Sequence, residues 1–210
     1  MSAKILKVSK DNPPTKELLE AVREVISGGG ILAFPTDTVY GIGGSGLAPK
    51  TADKVFTIKK RDVGKALPIL IHSLEEARRW TAWNSAAEAL AGRFWPGPLT
   101  LVLEPTPEGR RLLTSDQPTL AVRVPALVFT RTLIAESRAP WMSSSANLSG
   151  EPALTDGAAV AAALKDSVDL VIDAGPTSSG VVSSVVAVTG NSVRVLREGA
   201  LNEKEILQAL

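Results

Sequence analysis

Three stretches of the chain gather hydroxyls, amides and cations at spacings suited to binding anions. The first, residues 28–47, reads GGGILAFPTDTVYGIGGSGL, with Thr36, Thr38 and Tyr40 at alternate positions. On an extended backbone all three point to one face. Glycines at 41, 43, 44 and 46 would let the backbone approach a ligand closely, because no Cβ intervenes, although these residue types are also ordinary turn formers. The second, residues 54–65 (KVFTIKKRDVGK), holds five basic residues and one acid. Cations at a helix end suit the macrodipole, but Lys59 and Arg61 run straight into a loop before an apolar strand, where sites gather. The planar fork of an arginine suits phosphate. The third, residues 143–150, reads SSSANLSG. Ser145 and Asn147 stand two apart, and in an extended loop they would present neutral donors to a phosphate or carboxylate.

Two further arginines interrupt apolar strands, Arg123 in AVRVP and Arg197 in VLREG. Alternation by itself places them on the solvent face; a cleft would have to pair them otherwise. A site assembled from these groups is rich in donors and poor in general bases. It would bind and position anions, which suits phosphoryl or nucleotidyl transfer, where positioning and charge neutralisation carry most of the catalysis. The sequence has no GxxxxGK[ST] loop, and no GxGxxG follows a strand. His72 is the sole histidine and reads as structural.

Composition narrows the class. The chain has 210 residues, 44% of them apolar, with 23 basic and 22 acidic residues and a net charge of +1. Mean hydropathy is +0.13, so a sizeable core is expected and disorder is not. The near-neutral balance argues against nucleic-acid binding by bulk charge, while leaving room for a local basic patch. There is no cysteine, which removes disulfides, thiol catalysis and thiolate metal ligands. No signal peptide or membrane-length apolar run is read, so a cytoplasmic protein is expected.

The elements that must position these groups follow from pattern. Strands are expected at 3–8, 31–34, 67–71, 99–103, 119–124, 141–145, 169–172, 184–188 and 192–196. Thr15 caps a helix striped by Leu18, Leu19, Val22, Val25 and Ile26, which Gly28 ends. Helices are also expected at 51–60 and 126–136. Ser73-Leu-Glu-Glu and Ser85-Ala-Ala-Glu match capping boxes for two short ones. Trp95-Pro-Gly-Pro breaks the second. Thr155 caps an Ala-rich helix over 156–165, and Asn202 caps the last. The irregular strand–helix rhythm favours an α/β (α+β-like) fold, a mixed sheet with flanking helices, over a doubly wound parallel sheet. With no long polar linker, one domain over 1–210 is expected.

Read in order, these blocks resemble the YrdC/Sua5 family of threonylcarbamoyl-AMP synthases. FPTDTVYGIG, KKR with the following KAL, FWPGPLTLVL, AVRVP, SSANLSGEPALT, and GVVSSVV with LREG are each similar to a family segment. The resemblance implies a twisted mixed sheet of the YrdC-like (RibB-type) fold with a concave, positively charged face, and the short, TsaC-like type without the C-terminal Sua5 domain. It implies a nucleotidyltransferase taking L-threonine, bicarbonate and ATP to threonylcarbamoyl-AMP and pyrophosphate for t6A modification of tRNA. It assigns threonine to Thr38, Arg123, Ser145 and Ser183, and ATP to Arg61, Lys65, Thr119, Asn147, Thr155 and Arg197. Lys59 would face phosphate, completing a catalytic set of Lys59, Arg61, Ser145 and Asn147. Mg2+ would arrive with ATP, held mainly by phosphate oxygens and water, with no protein metal site and no organic cofactor. Expected partners are the small substrates, tRNA or other RNA, and a downstream threonylcarbamoyl transferase complex. Departures are Asp62 for the usual Pro, Leu70 where longer members carry a threonine-contacting His, Ser184 for Thr, and Val182 for Glu or Pro. Two alternatives are an RNA-binding module without catalysis and an enzyme moving a carbamoyl group from another donor.

Overall fold

The computed structural model describes residues 2–60, 66–114, 117–190 and 192–210. Among these residues ten strands form one mixed sheet: β1 (Lys4–Lys7), β2 (Leu32–Phe34), β3 (Gly41–Ser45), β4 (Ile69–Leu70), β5 (Leu99–Leu103), β6 (Leu120–Arg123), β7 (Trp141–Ser145), β8 (Leu170–Asp173), β9 (Ser184–Thr189) and β10 (Ser192–Arg197). Their order is β1-β8-β2-β3-β7-β4-β6-β5-β9-β10. The pairs β1/β8, β2/β8, β4/β6 and β5/β9 are parallel and the others antiparallel. Among the described residues seven α-helices flank the sheet: α1 (Lys16–Ser27), α2 (Thr51–Lys59), α3 (Leu74–Trp80), α4 (Ser85–Phe94), α5 (Val128–Ser137), α6 (Gly157–Leu164) and α7 (Glu203–Leu207). No helix of the described residues is long and apolar enough to cross a membrane.

Strand alternation divides the core into two. Ala33, Ile69, Leu101, Val122, Met142, Val171 and Val186 point to one face, against α2, α3, α4, α6 and α7. Leu32, Phe34, Leu70, Trp141, Leu170 and Ile172 point to the other, against α1 and α5. That second face is only partly covered. Over β5, β6 and β9 its positions are Thr100, Val102, Ala121, Arg123 and Val185, and instead of meeting a helix they line a cavity. The fold leaves the site where the two helices stop.

Thr15, Ser73 and Asn202 cap their helices as expected, and Asn202 with Glu205 completes a capping box. Four local expectations are corrected. Asn84, not Ser85, caps α4, accepting from Ala87 N, and Asp156, not Thr155, caps α6. Each stands one residue earlier or later with a side-chain oxygen equally able to reach the first turn. At α3 the reciprocal arm is shifted, for Glu76 accepts from His72 N at 3.0 Å. The segment 41–45 is not an exit loop but the buried strand β3, of which Gly41 lines the cavity while Gly43 and Gly44 do not. A Cβ at Gly43 would lie 2.0 Å from the Met142 carbonyl oxygen, and one at Gly44 2.4 Å from that of Gly30. These glycines serve close backbone packing.

Candidate functional site

The turn 35–40 is built around two threonines. The Thr36 hydroxyl donates to the Val39 carbonyl at 2.6 Å and accepts from Thr38 N at 3.1 Å. A hydroxyl has one proton, so across the 2.9 Å Thr36–Thr38 contact it is Thr38 that donates. Thr38 Oγ1 in turn accepts from Arg123 Nη1 at 3.0 Å. The Arg123 Nε donates to the Gly97 carbonyl at 2.9 Å, and Nη2 donates to both carboxylate oxygens of Asp37 at 2.8 Å. Only 5% of Arg123 is exposed, which corrects the solvent-face expectation. The alternation was right and the inference wrong, because the other face of β6 is roofed by the turn 35–40. Burial pushes the Arg123 guanidinium below its ordinary pKa, and the neighbouring Asp37 carboxylate opposes that shift.

Tyr40 does not offer its hydroxyl to the cavity. It donates to the Gly175 carbonyl at 2.8 Å and accepts from Ala174 N at 3.0 Å, tying the turn to the end of β8. Its pKa is pushed up to about 12, chiefly by burial.

The Ser-rich loop after β7 is gathered by Lys59. This ammonium, on a residue only 3% exposed, donates to the carbonyls of Ser145 and Asn147 at 2.6 and 2.8 Å and to Asn147 Oδ1 at 3.0 Å. The Ser145 hydroxyl donates to Asn147 Oδ1 at 2.5 Å, so the two residues do turn toward each other. Lys59 does not line the cavity; in this structure its ammonium is enclosed by the loop.

At the far side of β5, the Ser183 and Thr100 hydroxyls are 2.9 Å apart, and Arg197 Nη2 donates to the Ser183 carbonyl at 2.7 Å. The register of β10 on β9 slips between Val195 and Arg197. A regular strand would send Leu196 and Arg197 to opposite faces; the bulge lets both line the cavity.

The cavity these elements enclose holds about 420 Å³. Thr38, Arg123, Ser145 and Ser183, the four expected threonine contacts, all line it, as do Thr119 and Arg197 of the expected ATP set. Asn147 and Thr155 do not. Arg61 and Lys65, with the Asp62 departure, lie outside the described residues. Among the described lining residues the charged side chains are Arg123 and Arg197, so the site favours anions. Leu70 lines the cavity as an apolar wall opposite Arg123 in register. His72 is outside it, with Nε2 3.4 Å from Glu76 Oε2. Ser184 anchors the tail: its hydroxyl donates to the Leu201 carbonyl at 2.6 Å and accepts from Gly199 N at 2.9 Å. Among the described residues no three His, Cys, Asp or Glu side chains gather.

Sequence reasoning missed Asp37 and Thr100, each joined to a site residue. Asp37 sits inside the motif that drew attention to this turn, and its position between Thr36 and Thr38 was the available signal.

A family model, Sua5_yciO_yrdC, described as "Telomere recombination", matches residues 24–199. The threonylcarbamoyl-AMP synthase of Pyrococcus abyssi is 39% identical over 179 residues, covering 85% of this chain and 53% of the relative. The chain thus spans about half the length of that curated relative. A putative threonylcarbamoyl-AMP synthase of Methanocaldococcus jannaschii is 30% identical over 199 residues, 94% of each chain. The solved structure of P. abyssi Sua5 complexed with L-threonine superposes with a TM-score of 0.90 at 35% identity, covering 98% of this chain and 60% of that one. A match spanning all the strands that line the cavity, joined to one fold, places this chain in the Sua5/YciO/YrdC family.

Proposed function

We propose that the chain makes threonylcarbamoyl-AMP and pyrophosphate from L-threonine, bicarbonate and ATP. One observation carries the reading. Thr38, Arg123, Ser145 and Ser183, far apart in sequence, converge with Arg197 and Thr119 on a single cavity. Arg123 receives the threonine carboxylate, and the hydroxyls of Thr38, Ser145 and Ser183 hold its other polar groups. Arg197 and Thr119 meet the nucleotide, with Arg61 and Lys65 as its further cationic contacts. The activity for which these relatives are named supports the same reaction.

The free threonine amine attacks the carbon of bicarbonate. The C–OH bond breaks, a proton passes from the amine nitrogen to the departing hydroxyl, and water leaves an N-carboxylate. A carboxylate oxygen then attacks the α-phosphorus of ATP, and pyrophosphate leaves. The residues hold two anions within reach of each other and neutralise the charge that develops, which is where electrostatic positioning is most effective. Magnesium travels with the nucleotide, where it supplies charge neutralisation on the phosphates. The product would feed t6A formation in tRNA through a separate transferase.

The test is pyrophosphate release from ATP and bicarbonate with and without L-threonine, and with L-serine as control. Threonine-dependent release is expected. Release independent of any amino acid, or none from folded protein, would overturn the reading.

A further inference from the structure

We infer that Asp37 is a positioning residue for the amino-acid substrate: its carboxylate fixes the Arg123 guanidinium from outside the cavity, so that Nη1 and Thr38 form the edge a substrate carboxylate meets. The inference rests on Arg123 taking the threonine carboxylate.

A guanidinium has five N–H donors in one rigid plane. Nε–H goes to Gly97, one N–H of Nη1 goes to Thr38, and Nη2 faces both oxygens of the Asp37 carboxylate. Among the described residues, one Nη1 N–H remains. The three partners come from the loop before β5 and from the turn 35–40, so they fix both the plane of the fork and its rotation about Nε. Asp37 is itself held. Its Oδ1 accepts from Ala126 N at 3.0 Å, and the turn that carries it is pinned by Thr130 Oγ1, which donates to the Pro35 carbonyl at 2.7 Å.

Position separates the two members of the pair. Arg123 and Thr38 line the cavity, and Asp37 does not. The carboxylate touches the arginine but not the space where a ligand would lie, so it acts through Arg123. Its chemistry matters for two reasons. A buried cation without an acid is desolvated and uncompensated. A cation compensated in advance on its rear edge presents a directed N–H to the ligand, with no reorganisation left for binding. Without Asp37 the guanidinium would retain Gly97 and Thr38 but lose the two bonds that stop it from tilting.

The test compares Asp37→Asn and Asp37→Glu with the wild-type chain in threonine- and ATP-varied kinetics of pyrophosphate release. Asn keeps the shape but loses the charge and sets an amide N–H against Nη2. The Asn variant is expected to raise the threonine KM about tenfold to a hundredfold, the size of a misplaced contact. Its ATP KM should stay within about twofold, and Glu should recover most of the loss. Threonine and ATP requirements rising together, or neither rising, would overturn the assignment. Should the Asn variant not fold, nitrogen NMR of arginine-labelled wild-type protein decides. A clamped Arg123 gives separate Nη resonances in the absence of threonine, and one averaged resonance would overturn the clamp. A wild-type chain that releases no threonine-dependent pyrophosphate overturns the substrate reading, while the nitrogen spectra still decide on the clamp.

Discussion

Lys59 donates its buried ammonium to both the backbone carbonyl and the side-chain Oδ1 of Asn147, at 2.8 and 3.0 Å. With the Ser145 carbonyl at 2.6 Å, these oxygens match the three donors of an ammonium. The Lys59 carbonyl accepts from Ser149 N at 3.0 Å, so the end of α2 and the loop after β7 are bound in both directions. Lys59→Met keeps the length and removes the donors. Each buried acceptor left unmatched costs about 1–3 kcal/mol. Urea unfolding of the variant is therefore expected to show a loss of at least that size, together with weakened pyrophosphate release as Ser145 drifts. A variant as stable as the parent would sink this account of the loop.

Arg123 and Arg197 line one cavity but should fail differently. Arg123→Lys substitutes a point charge for a fork that serves Gly97, Thr38 and Asp37 at once, and no ammonium satisfies all three. Breaking a buried charged contact costs about 2 kcal/mol or more in binding, about thirtyfold in affinity. That loss is expected in the threonine KM. Arg197→Ala is expected to act mainly on the ATP KM. Two-substrate kinetics on both variants checks the division, and the same KM rising in each would contradict it.

Much of this was legible in the sequence, for identifiable reasons. Short apolar runs marked most strands, and cap residues marked helix starts to within a residue. The blocks from 28 to 199 carried the family. What pattern could not supply was contact across distance. Asp37 and Arg123 are 86 residues apart, and nothing local announces their pairing. Alternation told that Arg123 faces away from the apolar side of β6, but whether that side meets water or a roof depends on where α1 and α5 end. Gly43 and Gly44 of β3 looked like ligand-facing loop because a glycine signals close approach without naming what approaches. Here it is the backbone of β7 and of Gly30.

Two glycines make opposite predictions. A Cβ at Gly199 would lie 2.3 Å from the Val182 carbonyl oxygen and 2.7 Å from that of Ser183, both backbone atoms beside the cavity. Gly199→Ala is expected to push the 182–183 segment, lowering thermal stability and displacing Ser183 from its 2.9 Å contact with Thr100. Gly92, inside α4, meets nothing within 4 Å of a built Cβ. Gly92→Ala should stabilise the chain by up to about 1 kcal/mol through helix propensity and reduced unfolded-state entropy. Thermal melts of the two side by side give the sign of each, and a Gly199→Ala protein melting with the parent would show that the tail can shift freely.

Tyr40 predicts how the fold fails in alkali. It is the sole tyrosine, and burial holds its phenol protonated up to about pH 12, against an ordinary value of 10.0. In the unfolded chain the phenol ionises near its ordinary value. Between the two pKa values the unfolded state therefore binds fewer protons than the folded one, and stability falls as pH rises, by up to about 1.4 kcal/mol per unit. Below pH 10 this group contributes no slope. Because the hydroxyl ties the turn 35–40 to Ala174 and Gly175, its ionisation should loosen the turn that carries Thr38. Phenolate absorbance reports this one residue. It is expected to appear together with the loss of far-ultraviolet dichroism and not before it, and Tyr40→Phe should remove the absorbance step and flatten the stability slope above pH 10. A phenolate signal that titrates near its ordinary value while the dichroism is intact would show the hydroxyl to be open to solvent.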